Sequence, residues 1–255
     1  MVRGLDTFKR YFAAYAEQYV LIGGTAASLA MEDAGLEFRA TKDLDVVLIV
    51  EAIHSDFGRL FWDFIQAGGY VIREASHTGK PSFYRFQKPS HSGFPFMVEL
   101  FSRTPDGLSL ATGSHLTPVP MEEAVSSLSA ILLDDDYYAF ILDGRRNLDG
   151  LTFVGEDRLI PLKACAWLEL TARRANGDSI DSGSIRKHLN DVLRLSRLLT
   201  PTTRVTVTGR IAEDLRNFIS AVQRDESLNT RSIGVHMTVA EVCDRLARTY
   251  GLESP

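Results

Sequence analysis

Two aspartates open a β-branched apolar run, and their spacing constrains how this chain can fold. Asp43 and Asp45 begin a run of strand length and composition that extends to Val50. Because side chains alternate along a strand, both carboxylates leave one face, with their Cα atoms about 7 Å apart, while Leu44 and Val46 face the core. Two carboxylates this close raise each other's pKa unless a cation or hydrogen-bond donors offset the repulsion. Magnesium with oxygen ligands is the simplest compensation.

A glycine pair lies upstream, between a short apolar run and a segment that favours a helix. Tyr19–Ile22 predicts a strand, and residues 25–33, rich in Ala, Leu and Met, predict a helix. Gly23 and Gly24 between them would let the backbone approach a ligand, and the free amides at a helix start attract anions. Either feature alone is common in turns. Their order, a glycine turn and helix followed by the Asp-x-Asp strand, predicts a phosphate site.

A third carboxylate interrupts another apolar segment. Glu99 lies within residues 94–101, which predict a strand. Burying a carboxylate without a partner is costly, which leaves two alternatives. Either Glu99 lies beside the strand of Asp43 and Asp45, giving the three carboxylates that a two-metal phosphoryl-transfer site requires, or it faces water on an edge strand.

The remaining pattern predicts an α+β protein of two domains. Beyond a stretch at 101–121 that contains Pro and Gly, helical patterns dominate. We therefore predict a mixed sheet flanked by helices in residues 1–120 and a mainly helical domain in residues 121–255. In the second domain, Pro161 suits the first turn of a helix, and Ser184 suits the start of another.

Composition excludes several classes of protein. The apolar share of 45% and the charged share of 24% are those of an ordinary globular protein. Two cysteines cannot supply a disulfide framework or a cysteine zinc site. Without an apolar run of about 18 residues or a leader pattern, we expect a cytoplasmic protein that does not contact a membrane. The net charge of −5 gives no global signature for nucleic acid, but basic residues outnumber acidic ones within 160–210.

The order of these motifs resembles the nucleotidyltransferase (polymerase-beta-like) superfamily. LIGGTAAS at 21–28 followed by RATKDLD at 39–45 is similar to its signature. The Arg-x-Thr-x-Asp-x-Asp ending resembles more narrowly the AbiEii branch, the toxin component of type IV toxin–antitoxin systems. RLIPLK at 158–163 and KHLNDVL at 187–193 are similar to two later motifs of that branch.

The resemblance implies a nucleotidyltransferase fold in the first domain and transfer of a nucleoside monophosphate from a nucleoside triphosphate to a hydroxyl. The implied catalytic residues are Asp43, Asp45, Glu99, Lys163 and Asp191, and the first three of these would hold Mg²⁺ or Mn²⁺. The implied nucleotide-binding residues are Gly23, Gly24, Thr25, Lys80 and Arg85. Lys163 and Asp191 come from the helical domain, and either could instead be an ordinary surface charge.

The toxin branch further implies the 3′ end of tRNA as acceptor and a cognate antitoxin as partner. The basic stretch within 160–210 is the candidate docking surface for tRNA. Two alternatives stay open from the residues alone. One is a transferase for a small aminoglycoside-like molecule or for a protein, and the other is a relative that binds nucleotide without turnover.

Overall fold

One six-stranded mixed sheet organises the fold. The structure is a computed structural model, and it describes residues 2–49, 55–71, 82–102, 131–132 and 134–252. The strands are β1 (Tyr19–Ile22), β2 (Asp43–Leu48), β3 (Ser82–Gln87), β4 (Met97–Ser102), β5 (Arg145–Leu148) and β6 (Leu151–Val154). Their order across the sheet is β3-β4-β2-β1-β6-β5. The helices of the described residues are α1 (Leu5–Phe12), α2 (Gly23–Asp33), α3 (Ser55–Gly68), α4 (Asp135–Asp143), α5 (Glu156–Ala175), α6 (Ser182–Leu195), α7 (Gly209–Gln223) and α8 (Val239–Thr249). The predicted α+β class, with a mixed sheet followed by mainly helical structure, is confirmed.

Strand β2 lies in the middle of the sheet and alternates as its sequence predicts. Leu44 and Val46 are fully buried, whereas Asp43 and Asp45 retain some exposure. β2 pairs antiparallel with β1 and parallel with β4. The sheet therefore presents the two aspartates on the face opposite the side chains that fill the core.

An aromatic cluster holds α1 and α3 against the sheet. Phe8 and Phe12 of α1 lie within 6 Å of Phe64 of α3, at centroid distances of 5.8 and 5.4 Å. Phe8 also meets Tyr19 of β1 edge to face at 5.3 Å. All four rings are fully buried, and each such pair adds about 0.5–1.5 kcal/mol beyond its buried area. The cluster fixes the strand from which the glycine pair emerges.

The helical half of the chain contacts the first half through α5 and α6. Helix α5 packs along α6, and both contact α2. None of the described helices combines the length and apolarity needed to cross a bilayer.

A hairpin from the second half of the chain completes the sheet, and the sequence analysis did not predict it. β5 and β6 pair antiparallel, and β6 runs parallel to β1. Asp149 and Gly150 connect them with φ angles of 52° and 83°, as a two-residue hairpin turn with two positive φ angles requires. The Asp-Gly pair was the available signal, but the strands on either side have four residues each and show little alternation. The domain boundary near residue 120 lies outside the described residues and stays a prediction.

The start of α5 corrects the placement of Pro161. The helix begins at Glu156, so Pro161 lies in its second turn rather than its first. Proline has no N–H, which deprives the carbonyl oxygen of Asp157 of its helical hydrogen bond. The buried hydroxyl of Tyr250 donates to that oxygen at 2.9 Å. The residue after α8 thus satisfies the polar group that Pro161 leaves without a donor.

We expect the Tyr250→Phe variant to lose about 1–3 kcal/mol of unfolding free energy, because the Asp157 carbonyl oxygen would be left buried without a donor. Denaturant unfolding would measure the loss. In a Pro161→Ala background the helix regains its own N–H donor, so the same substitution should cost clearly less. An equal cost in both backgrounds would contradict this account.

Helix capping follows the sequence at one end of the helical half and departs from it at another. Thr238 and Glu241 form the capping box of α8 in both directions. At α6, however, the cap is Asp181, whose carboxylate accepts from the backbone N–H of Ser184 at 2.9 Å. Ser184 is therefore a first-turn residue and not the cap, because a carboxylate three residues upstream already accepts its N–H.

Candidate active site

The three predicted carboxylates lie on one side of the sheet and border one cavity. β2 and β4 pair in parallel with Asp45 opposite Glu99, and Asp43 lies one pleat away on the same face. All three line an open cavity of about 440 Å³. β4 is flanked by β2 and β3, so the edge-strand alternative for Glu99 is wrong. The arrangement brings together side chains separated by more than fifty residues of sequence.

The carboxylates repel one another strongly. Burial, together with the charge of Glu99 and a hydrogen bond to it, raises the pKa of Asp45 from 3.8 to about 8. Burial also raises the pKa of Asp43, and the charge of Glu99 raises it further. Lys187 on α6 opposes both shifts. In the absence of a cation, Asp45 therefore keeps its proton at neutral pH and remains hydrogen-bonded to Glu99.

Arg85 holds Glu99 from the side opposite Asp45. The two residues face each other across the β3–β4 pair, and Arg85 Nε donates to Glu99 Oε1 at 2.6 Å. Arg85 is not part of the cavity wall among the described residues. Its charge is directed at the carboxylate, so the predicted contact with a nucleotide phosphate stays a prediction. Lys80, the other predicted basic contact, lies outside the described residues.

The glycine pair is required by the close approach of α2 to the carboxylates. Gly23 has a φ of 70°, and a Cβ atom there would overlap the carboxylate of Asp45. A Cβ atom on Gly24 would lie 2.6 Å from Thr41 Oγ1. Gly24 borders the cavity, and Ile22, the N-cap residue of α2, makes no capping hydrogen bond through its side chain. The first amides of the helix are thus available to an anion in the cavity.

Thr25 makes a hydrogen bond that the sequence analysis did not predict, and its predicted contact with a phosphate stays a prediction. Its side chain is fully buried, and its hydroxyl donates to the carbonyl oxygen of Asp43 at 2.8 Å. A direct contact between this hydroxyl and a phosphate would require that bond to break. Thr25 instead ties the start of α2 to the start of β2, so it positions the glycine turn relative to the aspartates.

Lys163 and Asp191 meet in the interior, and their predicted catalytic roles stay predictions. Lys163 Nζ donates to Asp191 Oδ2 at 2.8 Å, and their side chains are 1% and 0% exposed. Burial lowers the pKa of Lys163, while Asp191 opposes that change. Burial alone would raise the pKa of Asp191, but Lys163 and Arg39 outweigh it and hold that pKa below its usual range. Lys163 borders the cavity, whereas Asp191 acts through its two basic partners.

Arg39 is a candidate functional residue to which the sequence analysis gave no role. Its Nε and Nη2 donate to the two carboxylate oxygens of Asp191 at 2.8 and 2.7 Å, and it lines the cavity. A two-pronged contact of this kind fixes the orientation of both groups. The signal was available, because Arg39 is the first residue of the Arg-x-Thr-x-Asp-x-Asp motif.

Besides Ser184, two residues of α6 line the cavity, and the sequence analysis gave them no role there. Lys187 is exposed and faces the aspartates closely enough to lower their pKa values. His188 is buried, and burial, with the charge of Lys163, lowers its pKa to about 3. A neutral imidazole therefore borders the cavity at physiological pH. Both residues precede Asp191 in the KHLNDVL segment, which was the available signal.

The donor set has the chemistry that a divalent cation requires. Among the described residues, no three His, Cys, Asp or Glu side chains surround a single point as metal ligands. Carboxylate oxygens are nevertheless the preferred ligands of Mg²⁺, and the carboxyl groups of Asp45 and Glu99 are hydrogen-bonded across adjacent strands. A cation would neutralise the repulsion that the proton now neutralises. Asp45 and Glu99, with Asp43 beside them, therefore fit a divalent metal.

The raised pKa of Asp45 predicts a dependence of stability on pH. A carboxyl whose folded pKa exceeds its unfolded value stabilises the fold below about pH 4 and loses that contribution as the pH rises to about 8. In chelator, the melting temperature should fall over this interval by more in the parent protein than in Asp45→Asn, which cannot ionise. Thermal unfolding at several pH values would measure the difference, and parallel curves would contradict it.

Comparisons with known proteins give little guidance. No family model matches the chain, and no curated protein matches its sequence. A solved structure of the Megavirus polyadenylate synthase is similar, with a TM-score of 0.38 and 10% identity over 87% of this chain. This chain spans 36% of the length of that structure. A likeness this distant establishes neither reaction nor acceptor, and membership of the nucleotidyltransferase superfamily or its AbiEii branch stays a prediction.

Proposed function

We propose that this chain is a metal-dependent nucleotidyltransferase, which moves a nucleoside monophosphate from a nucleoside triphosphate to an acceptor hydroxyl. One observation carries the proposal. Asp43, Asp45 and Glu99 line the same cavity as Gly24, at the start of α2, and Lys163. Clustered carboxylates opposite anion-binding groups are what transfer between phosphate esters requires.

The cationic wall of the cavity supports binding of a triphosphate. Lys163 reaches it from α5, Lys187 from α6 and Arg39 from the loop before β2. The amides at the start of α2 face the same space near Gly24. Asp191 holds Lys163 and Arg39 in fixed positions, so that two positive charges are already oriented when the nucleotide enters. It is a positioning residue, because it does not border the cavity.

The acidic wall supports the chemical step. Asp43, Asp45 and Glu99 would hold Mg²⁺ or Mn²⁺, which when bound stabilises charge on the phosphoryl oxygens and lowers the pKa of a coordinated hydroxyl. Arg85 holds the carboxylate of Glu99 through Oε1, and Glu99 is also hydrogen-bonded to Asp45. A Glu99 oxygen placed in this way can accept the proton of the attacking hydroxyl. Gly23 keeps the backbone clear of Asp45, so the carboxylate can reach a ligand.

For the acceptor we propose the 3′ end of tRNA, in the manner of an AbiEii-like toxin that a cognate antitoxin would neutralise. Its support is the order of the sequence motifs and the basic residues of α5 and α6 around the cavity. A small hydroxylated molecule or a protein side chain is the alternative acceptor. A panel of total tRNA, aminoglycosides and protein, each with the four nucleoside triphosphates, would separate these acceptors.

The reaction is tested by incubating the purified chain with α-labelled nucleoside triphosphates, Mg²⁺ and total tRNA. We expect label to enter the RNA with the wild-type chain, and incorporation to be lost in chelator and in the Asp43→Ala variant. Absence of metal-dependent incorporation into any acceptor of the panel would reject the proposal. If calorimetry then showed nucleotide binding without product, the chain would be a nucleotide-binding relative without turnover.

A further inference from the structure

A second opening lies behind the helices that wall the catalytic cavity. We call it the rear groove. It encloses about 610 Å³ between α5, α6 and the segment after α7, and its walls include Trp167, Arg174, Arg186, Leu189 and Leu228. Among the residues that the structure describes, the rear groove and the catalytic cavity share no lining residue. At about 100° per residue, the residues of α6 that line the two openings lie on opposite faces of that helix.

Consecutive cations connect the two openings across the tip of the α5–α6 hairpin. Arg173 lines the catalytic cavity and Arg174 the rear groove, while Lys187 lines the cavity and Arg186 the groove. Arg174 and Arg186 are exposed, and neither makes a hydrogen bond or an ion pair within the described part of the chain. Such a path of positive charge fits a ligand with regularly repeated negative charges, and not a single anion.

The acidic residues of the tip offset only part of this charge, because Asp178 pairs with Arg173 while Asp181 interacts with the charge of Arg174 without accepting a hydrogen bond from it. Asp178 accepts from Arg173 Nε at 2.7 Å, and Asp181 caps α6. In the rear groove, Asp225 accepts from the backbone N–H and the hydroxyl of Ser227. The guanidinium groups of Arg174 and Arg186 therefore remain available to a ligand.

The rear groove also offers an aromatic surface. Trp167 is partly exposed, and its ring meets Phe218 edge to face at 5.3 Å, which fixes its orientation. Leu189 and Leu228 supply apolar surface beside it. Unpaired cations next to an oriented aromatic ring are the combination that binds single-stranded nucleic acid, because phosphates meet the cations and bases stack on the ring.

We propose that the rear groove binds a single-stranded segment of a nucleic-acid acceptor, whose end crosses the α5–α6 tip into the catalytic cavity. The inference rests on the proposed function for the role of the bound strand, but the binding itself does not require turnover. Unlike a diffuse basic surface, the proposed binding site is a single groove with one aromatic ring, that of Trp167.

The test measures binding of a fluorescein-labelled single-stranded RNA by anisotropy, without nucleoside triphosphate. Arg174→Glu/Arg186→Glu is compared with Arg145→Glu/Arg216→Glu, a pair with the same change in net charge at exposed positions that line neither opening. We expect the groove pair to weaken binding by about tenfold or more and to reduce the salt slope by about two. The control pair should change affinity by less than about threefold, with unaltered melting temperatures in both.

Fluorescence tests the ring directly. Trp62 and Trp167 are the two tryptophans of the chain, so a Trp62→Phe variant reports on Trp167 alone, and RNA should quench its emission. Equal losses of RNA affinity in the two charge-reversal pairs, or no quenching of Trp167 emission, would overturn the proposal that RNA binds in the rear groove. If polyglutamate competed as well as unlabelled RNA, the rear groove would instead be a binding site for an acidic protein. Failure of the proposed function would appear separately, as wild-type chain that binds RNA through the groove but incorporates no nucleotide.

Discussion

The Asp45→Asn variant is expected to lose nucleotide transfer by on the order of a thousandfold while folding at least as stably as the parent chain. A bound metal contributes several kcal/mol to stabilising the transition state, and about 1.4 kcal/mol corresponds to each factor of ten in rate. Replacing one oxygen ligand by an uncharged amide removes much of that contribution. The same change removes the carboxyl that Glu99 and burial destabilise, so activity and stability should move in opposite directions above neutral pH.

Initial rates of labelled nucleotide incorporation, together with melting temperatures at about pH 8, would check both parts. Asp33→Asn is the matched control, because Asp33 is an exposed carboxylate at the end of α2. It should leave rate and stability unchanged. If Asp45→Asn retained most of the activity, the carboxylate cluster would not be the reaction centre.

The Asp191→Leu variant is expected to lose about 3–5 kcal/mol of unfolding free energy, since it leaves the buried ammonium of Lys163 without its counter-charge. The side chains of Lys163 and Asp191 are almost inaccessible, so water cannot replace the lost partner. Urea denaturation would measure the loss. Breaking the more exposed pair between Arg173 and Asp178 by Asp178→Ala is the control, with an expected cost below about 1 kcal/mol.

A double variant of the Lys163–Asp191 pair separates the effect on stability from the effect on activity. Lys163→Met combined with Asp191→Leu replaces the buried pair by apolar groups of similar size, which often restores stability. We expect the double variant to be more stable than Asp191→Leu alone, yet to lack transferase activity because the cavity has lost its ammonium group. A double variant as unstable as the single one would show that Arg39, which also depends on Asp191, dominates the energetics.

The sequence predicted those parts of the site that depend on local geometry. Alternation along β2 places Asp43 and Asp45 on one face whatever lies beside the strand. The glycine pair was predictable in the same way, since a strand followed at once by a helix requires a tight turn. Neither prediction required knowledge of which strands are neighbours.

Contacts between distant segments could not be predicted in this way. The register that places Asp45 opposite Glu99 depends on how β4 pairs, and both the buried and the edge alternatives were compatible with the pattern. Arg39 and Asp191 are 152 positions apart, and although Arg39 opens the Arg-x-Thr-x-Asp-x-Asp motif, nothing local indicates that Asp191 is its partner. Arg85 shows the same limit. Its positive charge suggested a contact with phosphate, whereas its position on β3 directs it to Glu99.

The shared sheet has a consequence for attempts to divide the chain. β1 is hydrogen bonded to β2 on one side and to β6, from the second half, on the other. Truncation near residue 120 would strip β6 away and leave an apolar strand with unsatisfied backbone groups, which is a template for self-association. The carboxylates and the glycine turn would then belong to a fragment prone to aggregate, so both halves of the chain have to be made together for the site to exist in solution.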